Sequence, residues 1–430
     1  MAVTQTPPSG FSEKPISTKA AIFYLLVFMA AYETNAMDRQ VFPMMLPWIS
    51  KDLNFNIKSA GALSTIYTLG VCFACIPAGY LIDHWKRKTT LLIGMVIYSF
   101  GTLATIYAFG FADMLFYRAS LGFGEAMQQA VLFAALTSFF YKRKAMVVGA
   151  VNVGFGIGGA VGPYLATVLV VATNNWHIPF ICYCFLGLFM ALVVWGAVPK
   201  AFTENKGPID KGTVVQLTVS NIPEKFWNRN SILCTISILI EGLMMFGYMG
   251  LYPTFLIREL HFAPKVAAVA FSLYGVGCMF GILGGWIGDR FSTRWTIVGA
   301  YCCVMITTFL LFNAATQSWE HLVLSFFQGY FASSTLYPNH CALVQKSVRP
   351  EMIGRATGLF QLGHYGGGAV AGLLFGWLVT QVGWHRAGLI QETMLPIVGI
   401  IAVCLIKKDQ LFGHAKILPK TEIEAPAATV

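Results

Sequence analysis

A chain of 430 residues that is 56% hydrophobic and only 11% charged lies far from the roughly 25% charged usage of soluble domains and reads as a polytopic membrane protein. Its formal net charge of +10 sits in short basic clusters between apolar stretches rather than along one polar face, which argues against a nucleic-acid partner and follows the positive-inside pattern. The ten cysteines are scattered, several inside apolar runs (Cys72, Cys75, Cys182, Cys184, Cys278), and read as small core residues rather than a disulfide or metal framework; no cofactor is expected.

Residues 1–18 form a polar tail that runs straight into an apolar segment too long for a signal-peptide core and without a small-residue cleavage site, so the first span is expected to be retained. Apolar stretches of about 20 residues then recur near 20–48, 59–83, 89–110, 112–140, 145–172, 177–199, 231–258, 263–288, 293–314, 319–345, 354–382 and 388–407. They predict an all-α protein of twelve transmembrane helices: a six-helix bundle over 19–199, a linker over 200–230, a second bundle over 231–407 and a tail over 408–430. Alternate connections carry the basic residues: Lys86-Arg87-Lys88, Lys142-Arg143-Lys144, Arg290 with Arg294, Lys346 with Arg349, and Lys407-Lys408. The tails and the linker are therefore expected in the cytoplasm, with the chain multi-pass in the plasma membrane (the inner membrane of a bacterium) and acting as a monomer.

The halves repeat. "VGAVNVGFGIGGAVGP" (148–163) matches "TGLFQLGHYGGGAVAG" (357–372) at an offset of 209, and "AGYLIDHW" (78–85) matches "GGWIGDRF" (284–291) at 206. The mismatches carry more information. At an offset of 207, Arg118 falls over Ser325, Glu125 over Ala332, Asp38 over Met245 and Arg39 over Phe246. The second half lacks all four charges, so helix packing does not require them. Charge at the bilayer centre costs about 2.5–3.5 kcal/mol on insertion scales, so such groups face a cavity or a partner. Arg118 and Glu125 share one helical face about 10 Å apart along the axis. Asp38 and Arg39 point about 100° apart and must find partners on other helices. Four charges that sum to zero fit one polar pocket between the first and fourth spans. Glu33 and Glu241 are weaker candidates, Glu33 as a snorkelling side chain near the membrane surface.

The segment Gly79-Tyr80-Leu81-Ile82-Asp83-His84-Trp85-Lys86-Arg87-Lys88 resembles the G-x-x-x-D-R-x-G-R-R/K motif of the major facilitator superfamily, with His84 and Lys86 replacing the usual Arg and Gly. It is echoed at Gly285-x-x-x-Asp289-Arg290. The resemblance spans the chain from first helix to twelfth and implies a transporter with two moving halves. On that reading Asp83, Arg87, Asp289 and Arg290 latch the cytoplasmic face. Asp38-Arg39 together with Arg118-x-x-x-Gly122-x-Gly124-Glu125-Ala126 is similar to the spinster-type transporters and the anion:cation symporters, which implies substrate-anion binding and proton coupling at these positions. Gly149, Gly158 and Gly162-Pro163 are similar to the antiporter motif of drug-efflux members, although close helix packing accounts for such glycines equally.

The expected mechanism is alternating access about a midplane site. Arg118, with Arg39 as a second candidate, would hold a carboxylate or phosphate, because the guanidinium fork binds such groups bidentately. Asp38 and Glu125 would carry protons: burial favours the neutral acid, a neighbouring guanidinium favours the carboxylate, and a substrate anion that occupies the arginine tips the balance. Tyr32, Gln128 and Asn152 from the first half, and Gln328, Asn339, His340, Gln361, His364 and Tyr365 from the second, are the candidate recognition residues. The alternative is a proton-driven antiporter exporting an amphiphilic compound or drug. An enzyme is not expected, since no nucleophile set, metal cluster or phosphate-binding loop is present.

Overall fold

The computed structural model describes residues 16–140, 144–204, 222–349 and 352–411; within them the side chains of 75, 76, 78–84, 137, 144–149, 353 and 354 lie outside the description. In chain order the helices are α1 (Thr18–Asp52), α2 (Ile57–Thr65), α3 (Tyr67–His84), α4 (Arg87–Ala104), α5 (Phe111–Phe139), α6 (Lys144–Thr173), α7 (His177–Ala197), the short α8 (Lys200–Thr203), α9 (Arg229–Arg258), α10 (Pro264–Cys278), α11 (Gly281–Arg290), α12 (Thr293–Phe309), α13 (Ser318–Gln328), α14 (Tyr337–Lys346), α15 (Ile353–Gly388) and α16 (Pro396–Cys404). They account for the twelve expected spans. The spans are less uniform than the hydropathy pattern implies.

Among the described residues eight helices are long and apolar enough to cross a membrane unaided, and α10 with α11, bent by 43°, makes a ninth crossing. The shortfall from twelve has visible causes. The fourth span carries Asp113, Arg118 and Glu125, and the tenth is interrupted by a π-helical stretch at Gly329–Leu336 between α13 and α14. The eleventh continues through Gly383, at φ 80°, into the twelfth. Helices broken within a membrane need internal partners for the freed backbone groups, and the α10–α11 bend and the π-helical stretch are two such interruptions in the second half.

Large side chains such as Phe73, Phe116, Phe185, Phe189, Leu192 and Ile306 point outward and exposed along the helices, the arrangement that acyl chains, not water, favour. Caps mark the ends. Ser17 Oγ accepts from the Ala20 N–H at 3.2 Å, and Asn228 Oδ1 from the Ser231 N–H at 3.0 Å. The N-terminus of α4 has no cap of its own; instead the Glu204 carboxylate, just past α8, accepts the Arg87 and Lys88 backbone N–H groups at 3.0 Å each. This ties the start of the linker to the basic turn between the second and third spans.

The sequence repeat at 207 is also a structural repeat. Asn54 (φ 54°) and His261 (φ 55°) occupy the same left-handed position after their first helices. Asp113 accepts the Phe109 and Gly110 N–H groups, as Glu320 accepts those of Thr316 and Gln317. A Cβ on Gly122 would collide with the Tyr67 carbonyl, and one on Gly329 with the Tyr274 carbonyl. Each half thus packs its second helix on its fourth by the same backbone approach.

The halves meet along two seams, α15 on α2 and α3, and α10 on α6, with α1 against α9 between them. Glycine permits both seams. A Cβ on Gly61 or on Gly372 would strike the other's carbonyl, and Gly275 abuts the backbone of Gly159 and Ala160.

Candidate functional site

Within α1 the residues Tyr32, Asn35 and Arg39 recur at helical spacing and face α5, which runs antiparallel to it. The pairing is a ladder. Gln129 Nε2 donates to Tyr32 Oη at 3.1 Å, Asn35 Nδ2 to Gln128 Oε1 at 2.9 Å, and Arg39 Nε to Glu125 Oε2 at 2.7 Å. Asp38, turned to the next face of α1, accepts instead from Thr102 Oγ1 of α4 at 2.6 Å. Adjacent charges in the sequence therefore serve different helices, as their angular separation requires.

All four charges are sealed from solvent: Asp38 is 1% exposed, Arg39 4%, and Arg118 and Glu125 0%. They are not equally satisfied. Arg39 pairs with Glu125 and reaches the Tyr365 hydroxyl of α15 at 3.4 Å. Arg118 has no hydrogen bond on any of its three nitrogens within the described structure. Its guanidinium lies over the Phe42 ring at 4.2 Å and the Tyr67 ring at 5.5 Å, held by cation–π attraction and by its electrostatic proximity to Asp38 and Glu125. One oxygen of each acid, Asp38 Oδ1 and Glu125 Oε1, is also unbonded. The partner of Glu125 is thus Arg39, 86 positions away, rather than Arg118 on its own helix face.

In the second half, aromatic rings and hydroxyls occupy the place of these charges. Ser325, the counterpart of Arg118, lies 3.2 Å from Tyr248 Oη and 3.0 Å from Tyr252 Oη, and Tyr252 Oη is 3.0 Å from His321 Nδ1. Phe246, the counterpart of Arg39, packs on His364 and Tyr365.

The other candidates divide. Tyr365 joins the halves, donating to Gln129 Oε1 at 3.4 Å while it receives Arg39. Gln128 also donates to the Ala31 carbonyl at 3.0 Å. His364 Nδ1 lies 2.7 Å from Glu241 Oε2, which gives Glu241 the partner that the sequence left unassigned. His340 Nε2 is 2.8 Å from Ser237 Oγ, and Gln328 Oε1 accepts from Thr307. Asn339 donates both amide hydrogens, to the Gly284 and Thr335 carbonyls, the first of which ties α14 to α11. Asn152 and Gln361 are half-buried, Gln361 with an unbonded Oε1.

Of the gating candidates, the Asp83 side chain lies outside the described residues. Arg87 is held at its backbone by Glu204 and reaches Ser138 Oγ at 3.3 Å. Asp289 and Arg290 are exposed and form no ion pair among the described residues; Arg290 lies over the Trp286 ring. Of the antiporter-like glycines, Gly149 lies outside the described surroundings; a Cβ on Gly158 would strike the Glu33 carbonyl, and Gly162 rests on Met37, so α6 lies close against α1. Glu33 itself is half-buried.

Three residues escaped the sequence reading. Thr102 and Phe42 offer no signal, since a threonine or phenylalanine in an apolar span is ordinary. Glu392 did offer one, a carboxylate inside the twelfth span. It is 0% exposed with both oxygens unbonded, beside Gly247.

Twelve spans in two repeated halves, enclosing buried charge at their junction, are the architecture of a secondary transporter. The sequence profile of the Major Facilitator Superfamily matches residues 28–283 and 234–428; the chain belongs to that family, whose members are transporters and not enzymes. It is 23% identical to the hexuronate transporter of Bacillus subtilis (strain 168) over 399 residues, covering 88% of this chain and 92% of that one. It is 23% identical to the 4-hydroxybenzoate transporter PcaK of Pseudomonas putida over 449 residues, covering 94% and 95%. Among solved structures, a bacterial homolog of the lysosomal transporter spinster, in an inward-facing and occupied conformation, shares the fold with a TM-score of 0.66 at 15% identity, covering 90% of this chain and 95% of that one.

Proposed function

We propose that this protein carries a small organic anion of the carboxylate type across the membrane by alternating access, coupled to protons. The observation that carries the reading is Arg118: a buried guanidinium with no hydrogen-bond acceptor. Burying a charge without bonded partners costs several kcal/mol, and a carboxylate bound by the fork would meet that cost. Arg39 is already engaged by Glu125, so Arg118 is the anchor and Arg39 the responsive partner. Phe42 and Tyr67 flank the Arg118 guanidinium, and Tyr365 contacts Arg39.

Asp38 and Glu125 are the proton carriers. An anion on Arg118 draws the guanidinium field away from both acids, and each then takes a proton more readily on its unbonded oxygen. The similarity to carriers named for a hexuronate and for 4-hydroxybenzoate supports an anionic cargo. Gly158 and Gly162 of α6 pack closely on α1; the alternative reading is a proton-driven antiporter that exports an amphiphilic compound. The basic connections face the cytoplasm, with both tails inside, in a plasma or bacterial inner membrane.

The test is a thermal-shift series on purified protein with D-glucuronate and 4-hydroxybenzoate as probes, repeated on Arg118→Ala. Stabilisation that disappears with the arginine supports the anchor. Stabilisation that survives unchanged refutes it. For coupling, Glu125→Gln is expected to abolish accumulation driven by an inward proton gradient while leaving counterflow exchange; intact accumulation removes Glu125 from the proton path.

A further inference from the structure

The basic turn before α4, Lys86-Arg87-Lys88, and the turn before α12, Ser292-Thr293-Arg294, are one structure repeated at an offset of 206. Lys86 and Ser292 stand at the N-cap of their helices, and neither side chain caps. Lys88 Nζ donates to the Val198 carbonyl at the end of α7, and Arg294 Nη2 to the Cys404 carbonyl at the end of α16, again 206 positions on. A short helix follows each half's last span, α8 in the first and Lys408–Gln410 in the second.

The likeness stops at one charge. Glu204, just past α8, receives the Arg87 and Lys88 N–H groups on its two oxygens and is the anion of the first turn. Its counterpart at 206 is Gln410, and no side chain among the described residues caps the start of α12. Cations nevertheless gather there. Lys346 Nζ donates to Thr293 Oγ1 at 2.9 Å, and Arg294 and Lys408 lie 5.5 and 5.8 Å from the centre of the Trp295 ring. Arg294 Nε is buried without a bond. The position of Lys346 is Phe140 in the first half, so this cation belongs to the second half alone. Among the described residues Arg290, Arg294, Lys346 and Lys408 enter no ion pair, and the neighbouring Asp289 and Asp409 are exposed.

We propose that the phosphate of an anionic phospholipid takes the place at α12 that the Glu204 carboxylate holds at α4. A helix start offers an anion its free N–H groups and the positive end of the dipole, and the first half shows a carboxylate on the same two backbone positions. Trp286, Phe291 and Trp295 are exposed on this turn and set it at the level of the lipid headgroups, where such aromatic residues collect. A headgroup seated there bridges α12, Lys346 of α14 and the segment after α16, as Glu204 bridges α8 and α4. The second half is thereby stabilised by the charge of its leaflet. The site is separate from the buried charges and holds whatever the cargo is.

The test is native mass spectrometry of the protein in a neutral detergent, titrated with phosphatidylglycerol and with phosphatidylcholine, beside a thermal melt with each lipid. Wild-type protein should prefer phosphatidylglycerol and melt higher with it. Gln410→Glu, which supplies the missing carboxylate, and Lys346→Gln should each weaken that binding by about fivefold or more, the worth of one cation at an anionic leaflet. Lys86→Gln removes the same unit of charge from the turn that Glu204 already fills, and should bind as wild type does. Equal affinity for the two lipids, undiminished binding in both Gln410→Glu and Lys346→Gln, or an equal loss in Lys86→Gln overturns the proposal, the last by reducing it to bulk attraction. Displacement of the lipid by millimolar inorganic phosphate overturns it too, since the turn would then hold a free anion.

Discussion

Breaking the Arg39–Glu125 pair should cost far more than deleting it. The two groups meet at 2.7 Å with 4% and 0% exposure, so Arg39→Met leaves a buried carboxylate and Glu125→Met a buried guanidinium. Loss of one member of such a pair typically costs about 3–5 kcal/mol. Spread over the unfolding entropy of a 430-residue chain, at about 2.1 cal/mol/K per residue, this lowers the melting temperature by about 3–6 °C. The double variant Arg39→Met/Glu125→Met restores neutrality with apolar groups of similar length. Replacing a whole buried pair in this way is often neutral or stabilising by about 1–4 kcal/mol. A thermal melt of the four proteins in one detergent therefore gives a double-mutant cycle with a coupling energy of several kcal/mol. If the double variant loses the sum of the two single losses, the pair is not an energetic unit and the reasoning fails. All three variants should be inactive in transport, since stability and function are separate readouts of the pair.

Further substitutions probe other parts of the assembly. Thr102→Val keeps the shape but removes the 2.6 Å bond to Asp38; a loss of about 1.5–3 kcal/mol in the melt is expected for a bond to a charged group, together with a displaced pH profile of uptake, and an unchanged profile would detach Thr102 from the proton path. Gly122→Ala and Gly329→Ala push a Cβ against the Tyr67 and Tyr274 carbonyls and should each destabilise by about 1–3 kcal/mol; a large effect at one and none at the other would contradict the shared packing of the halves. An ionised Glu392 would stand uncompensated, with both oxygens unbonded, so the neutral isostere Glu392→Gln should leave the melting temperature level or raised, and a drop of several degrees would reveal a partner for the charge.

The twelve spans, the twofold repeat and the identity of the four buried charges were legible in the sequence. Apolar length, basic connections and a 207-residue period are local or one-dimensional signals. The left-handed turn recurs at Asn54 and His261 with different residues, whereas the close helix contact recurs at Gly122 and Gly329 because only glycine fits it.

Pairing was not legible. Helical spacing on α5 suggested that Arg118 and Glu125 work along one face, yet the distance between α1 and α5 and the register of their ladder give Glu125 to Arg39 and leave Arg118 without an acceptor. The same limit hid the partner of Glu241, the donor to Asp38, and the use of Asn339 as a tie between helices. A sequence determines which residues must leave lipid, because that is a property of each side chain and its neighbours in the chain. Which of them meet depends on rotations and offsets between helices set by glycine contacts far apart in the sequence, and only the packed bundle decides that.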